Sequence, residues 1–143
     1  FALRAGYNIT EETNAGVTWG KYQAFEVDTT NHWAIDASTK WGKLVVIGEY
    51  TQSSVEQNNK AYALNLNYDF DGKTAFYVTN FRVEESAAMG GQSDFDSDNR
   101  GFYYGLTHAL NDKWSVEAIY KDQVTIRTDK KNSKFELWLK HEF

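Results

Sequence analysis

No cysteine and no proline occur in the chain. Without cysteine there is no disulfide framework, no thiolate metal site and no thiol nucleophile. Without proline, no strand or helix has to be interrupted. No apolar run approaches the eighteen residues that suggest a membrane-spanning helix. There is no basic cluster of the size a nucleic-acid surface needs, and the formal net charge is −5. No charged-then-apolar leader is visible and the first residue is not Met, so a mature form or an excised piece is expected.

What is present is aromatic and alternating. Aromatic residues reach 16%, and such rings need burial or an interface to anchor them. Apolar residues at 41% exclude a disordered chain, and 143 residues suffice for one domain with a core. The negative mean hydropathy would ordinarily mark a soluble protein. An average taken over alternating residues, however, sums two opposite faces.

Period-two alternation runs from end to end. "FALRAGYNI" sets Phe1, Leu3, Ala5, Tyr7 and Ile9 against Arg4 and Asn8. "HWAIDASTKW" sets Trp33, Ile35, Ala37 and Trp41 against Asp36, Ser38 and Lys40. "LVVIGEYT", "AYALNLNY", "FYYGLTHAL" and "WSVEAIYK" repeat the scheme, and "SKFELWLKHEF" closes it. "GVTWGKYQAFEV" and "TAFYVTNFRV" also read as strands, with poorer alternation. Lys21 shares a face with Val17 and Trp19, while Tyr77 and Phe81 oppose Phe76 and Val78. Tight turns at "WGK", "FDG" and "NDK" alternate with longer polar stretches such as "DTTN", "SSVEQNN", "ESAAMGGQSDFDSDNR" and "RTDKKNS".

Three features favour lipid over a soluble core. Nearly every strand alternates, whereas a soluble sandwich usually contains some mostly apolar strands. Aromatic residues bracket the apolar stripe: Trp33 and Trp41 are separated by roughly 26 Å along an extended chain. At a strand tilt of about 40° this becomes roughly 20 Å of height, close to the apolar band of an outer-membrane barrel. Short and long connections also alternate, as they do in such barrels. Backbone groups in lipid must be satisfied internally, so only helices and closed barrels span it. With no spanning helix, an all-β, antiparallel, up-and-down transmembrane β-barrel is expected, as a single domain over 1–143 or the C-terminal part of one.

The final strand resembles the C-terminal signal of Gram-negative outer-membrane β-barrel proteins, porins especially. Phe135, Leu137, Leu139 and Phe143 match its alternate apolar positions and terminal aromatic residue, and His141 departs from it. The resemblance implies an outer-membrane location and recognition of this strand by the barrel-assembly machinery. "VTWGKYQ" and "WAIDASTKWGKLVVIGEY" are similar to porin strand-and-turn phrases. About nine strands are counted. Single-chain bacterial barrels have even numbers, so upstream strands of a larger barrel are expected to be missing, the alternative being a miscount between Gly16 and Asn31, where the alternation is poorest.

The water-facing set is expected to be Arg4, Asp36, Lys40, Glu49, Arg82, Glu117, Lys121, Glu136 and Lys140. In a larger barrel these residues line a lumen that sorts solutes by size and charge. In a small barrel they form a plug of ion pairs. "DFDSDN" spaces Asp94, Asp96 and Asp98 like the start of a calcium loop. The twelfth position, however, is Gly105 where that loop needs Glu, so no metal is expected. An extracellular loop, making outside contacts or folding into the pore, fits better. His32, His108 and His141 form no triad spacing, and neither catalysis nor a cofactor is expected. His108 and His141 belong on the outward face near strand ends. Lys130, Lys131 and Lys134 form a solvated loop or meet lipopolysaccharide anions.

The expected function is passive diffusion of small hydrophilic solutes through an outer-membrane channel. Partners would be lipid, lipopolysaccharide, the assembly machinery and further copies of the chain. Three alternatives stand beside it: a small non-conducting structural or adhesion barrel, a barrel fragment captured as a substrate of the assembly machinery, and a soluble lipocalin-like barrel. A lipocalin-like protein would turn its apolar residues inward and dissolve without detergent.

Overall fold

A computed structural model describes residues 1–23, 29–87 and 95–142. The described residues form one sheet of nine antiparallel strands in simple sequence order. The strands are β1 (Ala2–Asn8), β2 (Thr13–Tyr22), β3 (Thr30–Trp41), β4 (Leu44–Ser53), β5 (Lys60–Asp69), β6 (Thr74–Val83), β7 (Asn99–Ala109), β8 (Trp114–Thr125) and β9 (Lys134–His141). All the strands read from the alternation are present. The segment read through Val27 forms strand as far as Tyr22, and residues 24–28 lie outside the described residues.

The turns explain why neighbours pair. Gly42 supplies the positive φ of 60° at the first central position of the two-residue β3–β4 hairpin. At the β5–β6 turn, Asp71 Oδ1 accepts from the backbone N–H groups of Lys73 (2.9 Å) and Thr74 (2.6 Å). These two hydrogen bonds hold its carboxyl below the usual carboxylate range. At the same end Lys43 Nζ donates to the carbonyl of Phe70, tying two adjacent turns together. The opposite end carries the longer connections.

The register is staggered. The row that starts at Trp41, on the tight-turn end of β3, runs through Leu44, Tyr68, Phe76, Leu106 and Ala118. It reaches β9 at Leu137, short of that strand's tight-turn end at His141. Such drift is the shear that tilted strands need in order to roll into a barrel.

The two faces differ in chemistry and in crowding. One carries Leu3, Trp19, Trp33, Ile35, Leu64, Leu66, Tyr104 and Leu137, all exposed. The other carries Ala61, Thr79, Phe81, Tyr103 and Gln123, all buried. A curling sheet spreads side chains on its convex face and crowds them on its concave face. The apolar face is therefore convex and the polar face concave, which is the orientation of a membrane barrel. β1 and β9 do not pair with each other among the described residues, so the sheet has two edges.

Candidate functional site

The concave face brings together most of the charged residues expected there. Arg4 on β1 and Asp36 on β3 meet across the intervening β2, Nη2 to Oδ2 at 2.6 Å and Nε to Oδ1 at 3.2 Å. They can meet only because the residue between them is Gly16. A Cβ there would stand 2.6 Å from Arg4 Nη2 and 2.7 Å from Asp36 Oδ1. Asp36 lies directly opposite Glu49 in the β3–β4 register, and Lys40, opposite Val45, follows on the same face beyond the Ser38–Ile47 pair. At the other side of the sheet, Lys121 pairs with Glu136 at 2.8 Å and Lys140 with Glu117 at 2.5 Å.

Arg82 does not join them, which corrects the expectation that it lines the interior. Its register partners are Tyr62 and Arg100, so it lies on the convex face, where it pairs with Glu84 at 3.0 Å. The physical reason is position along the strand. Lys21, Lys60, Arg82, Arg100 and Asp122 all lie on the convex face, and all sit near the longer-connection end of their strands. In a membrane barrel that end of a strand lies at the headgroups rather than in hydrocarbon, so charge alone does not assign a face. The convex rows between that end and the tight turns carry no Asp, Glu, Lys or Arg within the strands.

The irregular alternation of β6 has a packing cause. Phe81 and Val83 turn inward, where residues from the β6–β7 connection cover them. Phe95 stacks on Phe81 at 4.9 Å between ring centroids and lies 5.3 Å from Tyr103, with Ala87 buried in the same cluster. This connection, expected to make outside contacts or fold into the pore, places Phe95 on the concave wall. Asp96 accepts from Lys134 Nζ and from Gln123 Nε2, each at 2.7 Å, which holds its carboxyl below the usual range. Gln123, fully buried, also accepts from the Tyr103 hydroxyl at 3.0 Å. Asp98 accepts from Arg127 Nε at 2.7 Å, and Glu85 pairs with the same guanidinium at 3.1 Å, joining this connection to the next. Asp94 lies outside the described residues.

The alternation left the face of Tyr77 open, and the register places it on the concave side, opposite Asn67 and Gly105. Its ring lies over Gly105 of β7, where a Cβ would overlap it, and its hydroxyl donates to Glu117 of β8 at 3.0 Å. One side chain thus bridges three strands.

The convex face holds the described residues of the expected assembly signal. Phe135, Leu137 and Leu139 are exposed on β9, and His141 packs on Trp114 at 4.4 Å between ring centroids. His108 Nδ1 lies 3.0 Å from Thr74 Oγ1 on the same face. Phe143 lies outside the described residues. His32 is on the concave face, buried beside Thr30. Lys131 pairs with Asp122 at 3.1 Å. No cluster of His, Asp or Glu that could hold a metal occurs among the described residues.

Set against known families, residues 1–126 match the family model described as Gram-negative porin, a match that ends before β9. No curated protein and no solved structure matches the chain.

Proposed function

This chain belongs to the Gram-negative porin family, and from that premise we propose that it forms the wall of a channel for passive diffusion of small hydrophilic solutes across the outer membrane. The observation that carries the reading is the opposite chemistry of the two faces. Charge-free apolar rows cover the convex side, and Arg4, Asp36, Lys40, Glu49, Glu117, Lys121, Glu136 and Lys140 line the concave side. Water bathes the concave side and lipid the convex side. Solutes are sorted by the bore and by the fixed charges along it, with no covalent step and no cofactor. Most of those charges stand as cross-strand pairs of opposite sign, so selectivity between small cations and anions is weak.

The exposed stripe Phe135, Leu137 and Leu139, with Phe143 beyond it, suits recognition of β9 by the barrel-assembly machinery. Lys130, exposed on the longer connection after β8, suits the phosphates of lipopolysaccharide. The test of the channel is single-channel recording in a planar bilayer. Discrete ohmic steps are expected. A bilayer that accepts the folded protein and stays silent overturns the pore in favour of a non-conducting barrel. The stack of Phe95 on Phe81 and Tyr103, which fills part of the concave side, favours that second reading.

A further inference from the structure

Trp19, Trp33, Trp41 and Trp114 lie on the apolar face, where an indole anchors at a lipid interface. Trp138 does not. It stands on the polar face opposite Glu117, between Glu136 and Lys140, and is 52% exposed. Anchoring in lipid does not account for an indole that faces away from it.

Trp138 walls a cavity of about 610 Å³ together with Tyr77, Phe95 and Tyr103. That volume falls in the range of small-molecule sites. The charges lining the cavity are already matched, Lys121 with Glu136 and Lys140 with Glu117. Matched charges do not call for an ion. They leave spare ammonium protons and spare carboxylate lone pairs side by side. The Asn65 amide nitrogen donates to Thr79 Oγ1 at 2.6 Å, which fixes the side chain with its carbonyl still able to accept. Tyr77 is fixed as well, by Gly105 beneath its ring and Glu117 at its hydroxyl.

We propose that this cavity is a binding subsite for a neutral hexopyranose unit, stacked on Trp138 and held through its hydroxyls by Glu117, Lys121, Glu136 and Asn65. The C–H groups on one face of a pyranose suit the negative face of an indole. Its hydroxyls both donate and accept, as a mixed set of ammonium, carboxylate and amide groups requires. An aromatic carboxylate would bring a net charge that the matched pairs do not balance. A small ion would make no use of the rings. The inference rests on the channel reading and adds a solute class to it.

The test is saturation-transfer NMR on the purified chain in a sugar-free detergent, with maltose as probe. Transfer to the pyranose ring protons is expected. Trp138→Ala should weaken maltose binding about three- to tenfold, Trp138→Phe should restore much of it, and Trp41→Ala on the apolar face should bind as wild type. Asn65→Ala, which removes a hydroxyl partner and leaves the rings in place, should also weaken binding. The subsite is overturned by absence of transfer to maltose, by equal binding in the Trp138→Ala protein, or by tighter binding of benzoate. Binding is read here without conduction. A conducting protein that ignores maltose therefore overturns the subsite alone, and a silent protein that binds maltose overturns the pore alone.

Discussion

Placing an arginine at Leu64 tests the orientation of the whole sheet. Leu64 stands on the convex face, 47% exposed, with Gly48 and Asn80 as its register partners. Within Lys60–Asp69 it sits near the middle of β5. At about 3.3 Å per residue and a tilt of about 40° it lies roughly 10 Å from the longer-connection end and roughly 13 Å from the tight-turn end. That is the midplane, where an arginine facing lipid costs about 2–4 kcal/mol. The equilibrium constant should therefore fall by a factor of roughly thirty to several hundred. Asn65→Arg supplies the comparison. It sits one residue along on the concave face, in the cavity that also holds Glu117 and Glu136. It should cost far less, because its charge meets water rather than hydrocarbon. The assay is guanidinium unfolding of protein folded into phospholipid vesicles, followed by tryptophan emission. Equal costs for the two variants, or a larger cost for Asn65→Arg, would refute the assignment of faces.

Gly105→Ala should destabilise the sheet by about 1–3 kcal/mol through overpacking against Tyr77. In the Tyr77→Ala background the same change should cost almost nothing, and strict additivity in the unfolding assay would count against the bridge. Asp96→Asn should loosen the β6–β7 connection at neutral pH, read as faster amide exchange at residues 96–98. The Asp96 carboxyl is depressed in the folded state, chiefly by Lys134, so its contribution is present above the ordinary carboxylate range and lost as pH falls through the lowered value. Wild type and variant should accordingly converge in acid, and a difference that persists there would refute the cause. Asp36→Asn leaves Arg4 without its carboxylate partner and should move the reversal potential in a salt gradient toward anion preference. An unchanged potential would mean that this pair lies off the solute path.

How much of this could be read before the fold was known depended on whether one strand sufficed to reveal it. The alternation in β3, β5 and β9 assigned both faces, because each residue there meets the medium its face dictates. β6 resisted because Phe81 and Val83 meet neither lipid nor water. Phe95 and Ala87 cover that part of the wall, and a covering connection leaves no period in the strand beneath it. Arg82 was placed inward because it is charged, but a residue at the rim obeys depth before face. Gly16 beneath the Arg4–Asp36 bridge and Gly105 beneath Tyr77 belong to register, which exists only once strands are paired. Trp138 was visible in the charged row of the final strand, but its cavity draws residues from β5 through β9 and was not.

The two unmatched edges divide the work of the wall. The outward-turned N–H and C=O groups along them must be met before such a sheet can rest in hydrocarbon, and any strand that meets them lengthens the ring. Circumference grows with each strand added, and the size of molecule admitted grows with it. The pattern of signs is carried by the side chains already in place. In the proposed channel, a hairpin inserted between those edges would therefore widen the sieve and leave the existing charge filter intact.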